Sequence, residues 1–148
     1  MRAQRKYLAA LILLALMSQA ACDTSVHKIK VKLNEAAKIL HAAAQSSHDL
    51  YEAGVYGPKG TAPAIEMRQN VATAIGKAND ALIQALNVAK TLKADSVEPG
   101  KTELLKILAQ AIAALSTIHT GNQKVDVAIQ ASAALINNAI VLITALKG

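Results

Sequence analysis

From Val26 to Leu146 the apolar residues recur at alternating spacings of three and four, in four separate stretches. That period follows one face of an α-helix and no face of a strand, so it restricts the body of the chain to amphipathic helices. The first stretch places Val26, Ile29, Leu33, Ala36, Leu40, Ala43, Ser47 and Leu50 on one seam. The second carries Val71, Ile75, Ala78, Leu82, Ala85, Ala89 and Leu92, and the third Leu104, Leu108, Ala111, Leu115 and Ile118. In the last the seam is Val125, Ile129, Ser132, Ile136, Ile140, Ile143 and Leu146.

Breakers separate the stretches. Gly54-Val55-Tyr56-Gly57-Pro58-Lys59-Gly60 reads as a helix end and a short loop. Tyr56 at its tip is expected to cover the end of the bundle. Ala94–Gly100 forms the next break and Thr120-Gly121-Asn122 the last. The spacing therefore predicts helices over 26–53, from Thr61 to about Leu92, from Gly100 to about His119, and over 123–146. Ser25 and Thr61 are candidate N-caps, and Pro63 falls in a first turn, where its missing amide does no harm. Four such helices on short turns imply an all-α, antiparallel up-down bundle. Alanine-rich seams let helices approach closely but bury little area, so the monomer is expected to be modestly stable and oligomerisation to bury more. Gly76, inside the second helix, costs roughly 1 kcal/mol relative to Ala unless a neighbour needs the space.

Upstream of the helices lies a different pattern. Arg2, Arg5 and Lys6 precede an apolar run from Leu8 to Met17, and small residues then lead to Cys22, the sole cysteine. Basic, apolar and small, in that order, is the layout of a secretory signal peptide. A cysteine at the cleavage zone resembles the lipobox of bacterial lipoproteins. Ala20 and Ala21 match the small residues of that motif, while Gln19 stands where the family usually has Leu or another aliphatic residue. The resemblance covers residues 1–22 only. It implies a diacylglycerol on the Cys22 thiol through a thioether, cleavage just before it, and acylation of the new amino group by a chain such as palmitate.

The implied layout is a signal peptide at 1–21, a lipidated tether at 22–25 and a helical bundle domain at 26–148. Each buried methylene contributes about 0.8 kcal/mol, so two or more chains hold a protein stably on a bilayer. The expected location is the cell envelope, membrane-anchored and facing the periplasm. Asp23 after the cysteine favours the inner membrane in enteric lipoproteins, and other bacteria sort differently. Two other readings stay open. Ser18-Gln19-Ala20 also serves as an ordinary cleavage site, and the segment also reads as an uncut anchor, although its apolar core falls short of the roughly 20 residues a span needs.

Loss of Arg2, Arg5 and Lys6 with the signal lowers the net charge from +6 to +3. Lys28, Lys30 and Lys32 sit next to the tether, where each gains about 1 kcal/mol from an anionic lipid surface. The bland reading of these lysines is a solvated helix end. Phe and Trp are absent, so the stacking platforms of single-strand nucleic-acid binding are missing. One cysteine excludes a disulfide framework.

Constellations that carry chemistry are sparse. Gly100-Lys101-Thr102 resembles the end of a phosphate-binding loop, but Asp95 occupies the position of the required first glycine and no strand precedes it. His41 and His48 lie two helical turns apart, about 10.5 Å along the axis, too far to share one ion unaided. Glu-x-x-His and Cys-x-x-Cys-His do not occur, which removes the di-iron bundle and covalent haem patterns. Met67 with a histidine is the remaining pair able to ligate a free haem, and nothing in its spacing asks for one. Ser46, Ser47 and His48 are helix neighbours whose side chains diverge. No catalytic residue, cofactor or metal is therefore expected, and the chain reads as a non-enzymatic scaffold or interaction module whose partner is itself or another envelope protein.

The last helix is ambiguous. Val127–Leu146 is apolar enough to score as a membrane segment, with Asp126, Gln130, Ser132, Asn137, Asn138 and Thr144 against it. If it spans, the layout resembles single-chain phage spanins, which bridge two membranes during lysis. Binding of a small ligand inside the bundle is the third reading.

Overall fold

A computed structural model describes residues 2–92 and 97–146, with side chains described over 25–92 and 98–146. Four helices follow one another: α1 (Arg2–Glu52), α2 (Ala62–Thr91), α3 (Val97–Ser116) and α4 (Gln123–Thr144). No strand occurs among the described residues. Each helix packs on its neighbours in the ring α1–α2–α3–α4–α1. The chain is an all-α bundle, as the spacing predicts.

The core is nearly the set of seams read from the sequence. Ile29, Leu33, Leu40, Leu82, Leu104, Leu108, Ile136 and Ile143 are buried at below 2 % exposure. Alanines 36, 43, 78, 85, 111 and 139 fill the space between them. Ser132 is fully buried, and its hydroxyl donates to the Ala36 carbonyl at 3.1 Å across the α1–α4 interface. A small polar residue there lets the two backbones approach.

The turns carry the polar bonds. At the α1–α2 turn, Gly54, Gly57 and Gly60 take positive φ. Tyr56 folds back so that its hydroxyl and that of buried Ser47 share a hydrogen bond of 2.9 Å, which makes it the expected cover of the bundle end. Tyr51, absent from the predicted seam, is buried at 7 % exposure with Arg68 4.8 Å above its ring. At the α3–α4 turn, Asn122 caps α4 by accepting from the amides of Lys124 and Val125. Asp126 accepts from the Thr120 hydroxyl (2.6 Å) and from the amides of Thr120 and Gly121 (3.0 and 3.1 Å).

Several boundaries differ from expectation. α1 passes through Ser25 without a break, so Ser25 caps nothing in the full-length chain. The lysines at 28, 30 and 32 therefore stand inside a helix rather than against its positive end. Thr61 is the N-cap residue of α2 by its backbone, but its hydroxyl donates to the Pro58 carbonyl instead of capping. Residues 97–100, read as part of a break, form the first turn of α3, where Glu98 suits the helix dipole and Pro99 needs no amide partner. α3 ends at Ser116, three residues before His119. The α2–α3 connection at 93–96 lies outside the described residues, as do the side chains of the expected signal and of Cys22.

Candidate functional site

The antiparallel ring brings the N-terminal part of α1, the end of α2, the start of α3 and the end of α4 to one end of the bundle. Register fixes which residues share a level. Ser47 and Val71 line one small cleft between α1 and α2, so counting back along α1 and forward by the same number along the antiparallel α2 puts Lys28 level with Lys90. Gly100 abuts Leu92 and Val88, so Lys101 falls at the same height. A Cβ on Gly100 would stand 2.6 Å from the Leu92 side chain, which explains a glycine in the first turn of α3. Lys101 also reaches across to the end of α4, donating to the Leu146 carbonyl at 3.1 Å.

This end is basic. Among the residues whose side chains are described, the half of the bundle toward it carries Lys28, Lys30, Lys32, Lys90, Lys101 and Lys106 against Glu35, Glu98 and Glu103. The other half, residues 38–81 and 107–136, holds Lys38, Lys59, Arg68, Lys77 and Lys124 against an equal number of acids. The net positive charge of the described helices is thus confined to one end. Two ion pairs at this end, Lys32–Glu35 and Lys101–Glu98, are both 3.8 Å long; the first is exposed, where such pairs contribute little, and in the second Lys101 is largely covered while Glu98 is exposed. Lys28 and Lys90 are exposed and Lys30 is half-buried along its stem.

The neutral end holds the tighter electrostatics. Lys59 donates to Glu52 in a short exposed pair that lowers the carboxyl pKa and raises that of the amine. Burial of Asp126 works to raise its pKa, and the Thr120 hydroxyl and the two turn amides outweigh it, so the net shift is downward.

The remaining sequence candidates are scattered. His41 and His48 are both exposed on α1. Met67 and His119 line one solvent-open cleft of about 460 Å³ between α2 and α3, with Val71, Lys77 and Ala114. That meeting was not legible in the sequence, because it depends on the α2–α3 register. No group of three or more His, Cys, Asp or Glu able to hold a metal occurs among the described residues. Lys101 and Thr102 stand in the second turn of α3, with Lys101 turned to α4 rather than cradling a loop. No known family, no curated protein and no solved structure matches this chain.

Proposed function

We propose that the chain is a lipid-anchored protein of the bacterial cell envelope, held by acylated Cys22 and facing the periplasm, where the bundle serves as a non-enzymatic scaffold or interaction module. The observation that carries this reading is the charge asymmetry. The basic end of the bundle is the end from which α1 leads back to Cys22, six residues before Lys28. A lipid on that sulfur would hold Lys28, Lys30, Lys32, Lys90 and Lys101 against phospholipid head groups. The neutral end would then project away from the membrane. The residue order before Cys22 supports the same reading.

The deciding experiment is the intact mass of the membrane-extracted protein beside that of Cys22→Ser. The expected mature chain begins at residue 22 and carries acyl chains, and Cys22→Ser loses them. A mature protein with a bare thiol, free in the medium or cytosol, overturns the proposal. Crosslinking in cells to discrete adducts is expected of a scaffold, and a strictly monomeric result counts against it.

A second reading is favoured by α4, whose mean hydropathy reaches 1.7 in a window only 28 % buried by the bundle. In that reading α4 enters a membrane and the chain bridges two bilayers, as a lysis protein would. It requires Cys22→Ser to resist alkaline extraction from membranes. The cleft with Met67 and His119 is what a ligand-binding role would use, and a copurifying chromophore would reveal it.

A further inference from the structure

α4 carries two apolar seams on opposite sides. Val125, Ile129, Ser132, Ile136, Ala139 and Ile143 face the core. Half a turn away, Val127, Ala131, Ala134, Asn138, Val141 and Ala145 are all exposed, at spacings of four and three. Val127 and Val141 are 53 % and 66 % exposed. Apart from Asn138 this second seam is apolar, and an apolar stripe of that width is the kind a helix buries against a neighbour.

The other outward faces are different. α1 presents Asn34, Lys38, His41 and Gln45, α2 presents Glu66 and Asp80, and α3 presents Glu103 and Lys106. From Val127 to Leu146 there is no charge at all. Covering this face with a charged surface would strip water from ions that find no partner on it. Another uncharged face avoids that cost; the outer face of α3 is uncharged only over residues 107–116, so a second α4 is the uncharged face of matching length and spacing that this molecule itself supplies. Lipid is the poorer cover. Gln130, Asn137 and Asn138 lie on the exposed side, and unpartnered amides are expensive in a bilayer.

We propose that α4 packs in parallel along α4 of a second copy. Ala131, Asn138 and Ala145 then take one set of coiled-coil seam positions and Val127, Ala134 and Val141 the other. Asn138 meets its own counterpart, and a single polar residue at such a position sets register and partner number. The parallel direction rests on the lipid-anchor reading, since two copies held by the same end on one membrane stand side by side. The pairing of α4 with α4 does not.

Cysteine scanning of the full chain in the bacterial envelope tests this, with Cys22 kept for lipidation and a Cys22→Ser set in parallel. Under mild oxidation Ala131→Cys and Asn138→Cys should each give a disulfide dimer, and Glu103→Cys should not. Adding Ala134→Glu to Asn138→Cys should lower the bridged fraction about fivefold or more, because like charges across a seam repel. Bridging by Ala134→Cys alone means antiparallel copies and overturns the parallel arrangement. No bridging at any of the three sites overturns the dimer, including the case where the thiols are shielded from a membrane-impermeant maleimide and α4 lies in lipid. The mass at residue 22 reports the anchor separately, so a bare thiol with bridged α4 cysteines refutes the anchoring and not the pairing.

Discussion

Asp126 shows how much of this fold is held by single side chains at the turns. Its carboxylate accepts three hydrogen bonds from Thr120 and Gly121 and so ties the start of α4 to the chain leaving α3. Its folded pKa lies below the ordinary 3.8, against the opposing effect of burial. A depressed carboxyl contributes stability that is present above the unfolded pKa and is lost as pH falls through the folded one. Asp126→Asn should therefore cost about 1.5 kcal/mol at neutral pH, the worth of a charge-assisted bond. Urea titrations should show that difference shrinking as pH drops below 3.8, where the unfolded carboxyl protonates, and vanishing below the lower folded pKa, where the native side chain is neutral too. Gly76 makes the opposite case. It is exposed, helical, and has nothing within 4 Å of where a Cβ would stand. No neighbour needs the space, so Gly76→Ala should raise the urea midpoint with a gain of about 0.5–1 kcal/mol.

At the scale of the helix, the α1–α4 interface depends on Ser132 staying small. Ser132→Leu would push α4 away from Ala36 and force a repacking that costs about 1–3 kcal/mol, read as a fall in the thermal midpoint. The spacing alone put Ser132 on the seam, while its bond to Ala36 depends on the α1–α4 register and was not legible. Where the seams were misread, the miss is a single residue. Ala139 is buried and Ile140 half-buried, and Tyr51 is buried while Leu50 is half-buried. A straight helix has 3.6 residues per turn, so an alternation of three and four drifts and must slip by one somewhere. Sequence spacing cannot say at which turn. Pairings between helices were hidden for a related reason. The meetings of Tyr51 with Arg68 and of Met67 with His119 depend on axial offsets that periodicity within one helix does not contain. Tyr56 was readable because an aromatic at the tip of a glycine-rich turn has one apolar place to go.

For the whole molecule the uneven charge is the property that no single helix shows. Lys28, Lys90 and Lys101 belong to three different helices, and the up-down order alone brings them level. On an anionic bilayer each lysine adds about 1 kcal/mol, and that attraction reaches only about one Debye length, about 8 Å at physiological salt and 3 Å at 1 M. On the proposed lipid-anchored reading, the chain from residue 22 with Cys22→Ser would lack acyl chains, and the membrane affinity it kept would come from these lysines. It should sediment with vesicles rich in phosphatidylglycerol, not with phosphatidylcholine vesicles, and should release when salt is raised to about 1 M. Lys28→Gln, Lys30→Gln and Lys32→Gln together should weaken that binding about a hundredfold, three such contributions being about 3 kcal/mol. Replacing Lys38, Lys59 and Lys77 in the other half removes the same number of charges from the same fold and should leave binding nearly unchanged. Equal loss from both triple variants would mean that vesicles sense net charge alone, and the polarity of the bundle would then have no part in its attachment.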